Sequence, residues 1–126
     1  MVFIDTNYFL RFILNDNSDQ HKISKLLFMA GAEGKKYLFT SPLVIFEVYW
    51  VLSSFYGFPK EKVVETLKKI LAMSFLNITE KEILKKGLGI YAESNLDFED
   101  SYNLTYARAN RAKIFATFDK KLQKHF

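Results

Sequence analysis

At 126 residues the chain is long enough for one domain with a real hydrophobic core, and 49% apolar with 25% charged residues is ordinary for a soluble globular protein. The formal charge of +4 permits an anionic partner without demanding one. The absence of cysteine excludes disulfides, thiolate zinc sites and a thiol nucleophile.

Val2 to Asp5 is a short apolar run ending on an acid, the look of a strand covered on both faces. Tyr8 to Leu14 reads as a helix, with Thr6 or Asn7 available to cap it, and Asn15 to Gln20 as a loop. His21 to Ala30 repeats apolar residues at a helical period, with Gly31 expected to stop it. Tyr37 to Thr40 is a second strand. Ser41 as N-cap and Pro42 at the first helical position then open a helix expected to reach Tyr56 and end at Gly57. Pro59 starts another helix, with Val63, Leu67 and Ile70 on one face, and Phe75 to Ile78 is a third strand. Thr79 and Glu82 form a capping box for a helix to about Glu93. A helix is expected from Phe98 to Ala112, then a fourth strand, Ile114 to Thr117, then Asp119 and a short basic tail. The alternation of strands and helices predicts an α/β fold with a mainly parallel sheet, one domain over residues 1–126. Ligands in such folds sit at the carboxyl ends of the strands.

Four acids fall at those ends or at the helix starts that follow them. Asp5 ends the first strand, where a helix cap or a solvated loop acid would also account for it. Glu47 is the only charged side chain in "SPLVIFEVYWVLSSF"; a helix apolar nearly all round is expected to be buried, and a buried carboxylate must neutralise, pair or bind metal. Asp97 suits the N-cap of its helix, which leaves Asp100, three residues later, surplus to capping. Asp119 follows the fourth strand, where a loop acid or a cap is the plainer alternative. In a parallel sheet all four positions lie at one edge, so Asp5, Glu47, Asp100 and Asp119 are expected to converge. Clustered carboxylates repel unless a cation relieves them. Oxygen donors without sulfur select Mg²⁺ or Mn²⁺ over zinc. Such a centre suits phosphodiester hydrolysis by metal-activated water, with Thr6, Asn7, Ser41 and Thr117 placed to orient the ligands by hydrogen bonds.

Asp5-Thr6-Asn7, Glu47 after Ser41, Asp97-Phe98-Glu99-Asp100 and Thr117-Phe118-Asp119 together resemble the PIN-domain nuclease family, most closely the VapC-type toxins of toxin–antitoxin pairs. The resemblance runs through the whole chain in order. It implies a three-layer α/β/α fold with a central, mainly parallel sheet of four to five strands. It also implies an endoribonuclease dependent on Mg²⁺ or Mn²⁺, with Asp5, Glu47, Asp100 and Asp119 as metal ligands and catalytic acids and Asp97 as an auxiliary acid. A homodimer and a small antitoxin partner are further implications. Family members commonly carry a further strand after the last Asp, whereas seven residues follow Asp119 here.

The substrate surface is expected in the basic C-terminal third, at Arg108, Arg111, Lys113, Lys120, Lys121 and Lys124. Tyr102 and Tyr106 could stack bases but are expected instead to pack on the sheet. The aromatic helix end, Tyr49 to Tyr56, is expected to supply a dimer or antitoxin contact. No secretory signal or span of ~20 apolar residues is read, so the expected location is the cytoplasm, without membrane association. A haloacid-dehalogenase-type phosphatase would need a second Asp where Asn7 stands, and a receiver domain an Asp between Asp19 and Asp97. The alternatives that remain are a solitary RNA-processing PIN nuclease and a non-catalytic PIN-like RNA- or protein-binding module.

Overall fold

Short apolar runs alternate with helices and the sheet is parallel, as the α/β reading expects. A computed structural model describes residues 1–126, which gather into two compact units, Met1–Lys81 and Glu82–Phe126.

The first unit holds a three-stranded sheet in the order β1 (Val2–Phe3), β2 (Leu38–Thr40), β3 (Leu76–Ile78). Both pairings are parallel, with Val2 opposite Leu38 and Leu38 opposite Leu76. Parallel neighbours need long crossovers. Helices α1 (Thr6–Leu14) and α2 (Ser18–Ala32) supply the first, and α3 (Pro42–Trp50) and α4 (Lys60–Leu71) the second. α3 continues as a wider π-helical turn over Val51–Phe55 and stops before Gly57, whose φ of +64° suits glycine. Ile4, Phe9, Leu38, Ile45, Val48, Leu52, Leu67 and Leu76 are almost wholly buried, each such side chain contributing about 1.5–3 kcal/mol.

Several boundaries differ from expectation, among them the start of α2, at Ser18 inside the expected loop Asn15–Gln20. α1 begins at Thr6, so Asp5 is its N-cap. α2 runs through Gly31, which is a packing residue: a Cβ there would stand 2.4 Å from Leu38 Cδ1. The turn away from the helix falls to Gly34, at φ +77°, whose amide donates to the Gly31 carbonyl at 3.0 Å.

The second unit takes in α5 (Lys81–Glu93) from Glu82 onward, α6 (Phe98–Ala109) and α7 (Lys120–His125). Glu80, at φ +62°, occupies the position before α5, so the helix starts two residues beyond Thr79. α6 crosses α5 where Gly87 admits the Tyr102 backbone; a Cβ on Gly87 would lie 3.0 Å from Tyr102 Cα. Leu96, Leu104 and Leu122 form a buried cluster with Ile90, Phe115 and Phe126 against it. Residues 114–117 stand outside the three-stranded ladder, with Ile114 81% exposed. What reads as a basic tail is α7, pinned by Leu122. No helix is long and apolar enough to cross a membrane.

Candidate functional site

In the first unit the parallel register brings the carboxyl ends of β1 and β2 side by side, tied where Thr40 Oγ1 donates to the Ile4 carbonyl at 2.7 Å. The chain leaves β1 through Asp5, whose Oδ1 accepts the Thr6 amide at 2.8 Å. It leaves β2 through Ser41, whose Oγ accepts the Val44 amide at 3.3 Å, with Pro42 opening α3. Glu47 is then in the second turn of α3. Thr6 Oγ1 donates to Glu47 Oε2 at 2.7 Å. One buried threonine therefore fixes both acids, Asp5 through its amide and Glu47 through its hydroxyl.

Glu47 is exposed, which overturns the expectation of a buried carboxylate. The reason is the stripe it belongs to. Leu43, Glu47 and Trp50, spaced four and three residues apart, share the outward face of α3, while Val44, Ile45 and Val48 take the buried one. The apolar run misleads because its outward face is apolar too.

In the second unit Asp97 caps α6, with Oδ1 accepting the Asp100 amide at 2.8 Å. Asp119 caps α7, with Oδ1 accepting the amides of Lys121 at 2.9 Å and Leu122 at 3.3 Å. Its own amide donates to Thr117 Oγ1 at 3.0 Å. Burial pushes the Asp100 carboxyl above its ordinary pKa, and the neighbouring charges of Asp97 and Asp119 push it the same way, with Lys121 opposing. Burial likewise raises Glu99, with Asp97 and Asp100 adding to it. Asp100 thus feels the charges of both Asp97 and Asp119.

Asp5, Asp97 and Asp119 each cap a helix through one carboxylate oxygen, Oδ1, and the Asp97 carboxylate also hydrogen-bonds the Asp100 side chain. None of Asp5, Glu47, Asp97, Asp100 and Asp119 forms an ion pair, although the chain carries 18 Lys and Arg. Within neither unit do three acidic or imidazole groups gather closely enough to hold a metal ion. Each unit presents a partial set of hard oxygen donors with spare lone pairs and no sulfur, a chemistry that fits a divalent cation of the Mg²⁺ type.

The polar residues expected to orient these acids divide. Thr6 and Thr117 bond to the acid or to its amide, Ser41 caps α3, and Asn7 lines a surface groove with Tyr8, Arg11 and Gln20. Of the basic residues, Arg111, Lys113 and Lys120 are exposed. Arg108 donates to the His125 carbonyl, and Lys121 Nζ donates to the Asn95 carbonyl at 2.7 Å. Tyr102 and Tyr106 pair with each other at 5.9 Å between centroids, with Tyr106 exposed. Sequence reasoning missed the Thr6–Glu47 bond, which joins residues 41 positions apart, and α7, whose signal was an Asp followed by cations in the last turn.

The family model of the PIN domain matches residues 2–125. The chain belongs to the PIN-domain family. PIN domains are in general nucleases and typically use divalent metal ions, so the acids of this PIN domain stand within a nuclease fold. No curated protein and no solved structure gives a significant match to it.

Proposed function

We propose that this PIN domain is a divalent-metal-dependent endoribonuclease in which Asp5, Glu47, Asp100 and Asp119 ligate Mg²⁺ or Mn²⁺, with Asp97 as auxiliary acid. The observation that carries the reading is the set of unpaired carboxylates on an otherwise lysine-rich chain. Asp100 feels the charges of Asp97 and Asp119 with Lys121 opposing, a repulsion that a bound cation would relieve. The bound ion supplies charge neutralisation at the phosphate and lowers the pKa of water. The chain's own residues do the rest. The Oδ1 bonds orient Asp5, Asp97 and Asp119 through the amides they cap, and the Thr6 hydroxyl orients Glu47. Arg111, Lys113, Lys120 and the other cations of the C-terminal segment hold the RNA backbone.

The finer role is that of the toxin of a VapC-type toxin–antitoxin pair, cytoplasmic, dimeric and restrained by a small antitoxin protein. Its support is the ordered motif set together with the exposed aromatic end of α3, where Trp50 and Phe55 stand out from the surface. Titration of the metal-free protein with Mn²⁺ in a calorimeter tests the ligand set: wild type binds, and Asp100→Asn binds at least tenfold more weakly. Equal binding by both proteins overturns the assignment of Asp100. A small open reading frame beside the gene, encoding a DNA-binding N-terminus, is the expected finding for the toxin role. Its absence turns the reading to a solitary RNA-processing nuclease.

A further inference from the structure

Residues 114–118 alternate in burial with period two. Phe115 and Thr117 turn inward, while Ile114, Ala116 and Phe118 turn outward. Phe118 is fully exposed, at 106% relative accessibility. A single exposed apolar side chain ordinarily needs no explanation. This ring differs because the backbone on both sides of it is anchored. The Thr117 carbonyl accepts Gln123 Nε2 at 2.7 Å, and Thr117 Oγ1 accepts the Asp119 amide at 3.0 Å. The Asp119 carboxylate caps α7, and the Phe115 ring rests on Phe126 at 5.4 Å between centroids. Phe118 is thus held outward by its supports rather than left loose.

Its surroundings select the partner. Along the sequence from Arg108 to the chain end six Lys and Arg stand against one acid, Asp119, the residue next to Phe118, to whose charge Asp100 of α6 is close enough to respond. Arg111, Lys113 and Lys120 are exposed on this segment. A partner complementary to it carries closely spaced negative charge together with flat apolar faces free to stack. Single-stranded nucleic acid has both, whereas a duplex keeps its base faces buried in the stack.

We infer that Phe118 is a base-stacking residue: it takes the face of an unpaired nucleobase beside Asp119 while the flanking cations hold the phosphates, so this surface favours single-stranded RNA over duplex. The inference rests on the ribonuclease reading for the place of Asp119, and its test separates the two. Binding of a fluorescein-labelled single-stranded oligonucleotide, and of the same sequence as a duplex, is measured by anisotropy in EDTA with the full chain. Phe118→Ala weakens single-strand binding about tenfold, within the range of one base stack, and leaves duplex binding unchanged. Phe118→Trp keeps single-strand affinity within about threefold, and its added indole fluorescence is quenched on binding. The thermal midpoint of Phe118→Ala stays at the wild-type value, because the ring is fully exposed.

Unchanged single-strand binding by Phe118→Ala overturns the inference and leaves the ring to a protein partner. Equal losses on single strand and duplex, or no binding of wild type to either, overturn it as well. If wild type cuts RNA with Mn²⁺ while Phe118→Ala binds like wild type, the nuclease reading stands and the stacking residue falls. If stacking behaves as expected but wild type cuts nothing, the reverse holds.

Discussion

Asp5 carries two loads, and a pair of substitutions separates them. Its Oδ1 caps α1 by accepting the Thr6 amide at 2.8 Å, and its charge is proposed to hold the metal. Asparagine is as good an N-cap as aspartate, so Asp5→Asn keeps the amide bond and removes only the charge. Asp5→Ala removes both. Loss of an N-cap to alanine costs about 1 kcal/mol. For a chain of this size that lowers the thermal midpoint by roughly 3–5 °C. In EDTA, followed by circular dichroism, Asp5→Ala should melt lower by that amount and Asp5→Asn within about 1 °C of wild type. In Mn²⁺, both should lose RNA cleavage. Cleavage by Asp5→Asn at the wild-type rate would reduce Asp5 to a cap and refute the ligand assignment. A midpoint that falls equally in both variants would refute the capping argument.

Gly31→Ala should be destabilising by about 1–3 kcal/mol in denaturant titration, because the new Cβ meets the wholly buried Leu38 at 2.4 Å. Leu122→Ala empties part of the Leu96–Leu104 cluster and should cost about 2–5 kcal/mol. It should also weaken Mn²⁺ binding in calorimetry by loosening α7, the helix that Asp119 caps. Asp100 has a folded-state pKa raised by burial and then by Asp97 and Asp119. Its contribution is present below the unfolded value of 3.8 and is lost as pH rises through the folded value. The metal-free protein should therefore lose thermal stability as pH climbs through that window, and Asp100→Asn should flatten the slope; parallel slopes would contradict this.

Local chemistry was legible where it acted alone. Ser41-Pro42 marks the start of α3 because a hydroxyl cap and a proline at the first helical position are short-range devices. Asp97 is legible as a cap for the same reason. What misled was a residue with two partners or a face with two neighbours. Asp5 looked spare because Thr6 could cap, yet Thr6 spends its hydroxyl on Glu47. Gly31 looked like a stop because its contact, Leu38, is tertiary. Glu47 looked buried because periodicity cannot tell an apolar outward stripe from a buried one. The segment 114–117, expected as a fourth strand, lies outside the three-stranded ladder, with Ile114 and Ala116 facing outward. α7 escaped notice because six residues with a single buried apolar side chain give no period to read. The four acids were legible as types and in order; the bonds that orient them were not.

The most direct test of the account is RNA cleavage by the purified chain with the metal removed and returned. No cleavage in EDTA, with cleavage restored by Mg²⁺ or Mn²⁺ in wild type but not in Asp100→Asn, is the predicted result. Cleavage that persists in EDTA, or that Asp100→Asn performs as well as wild type, would contradict it.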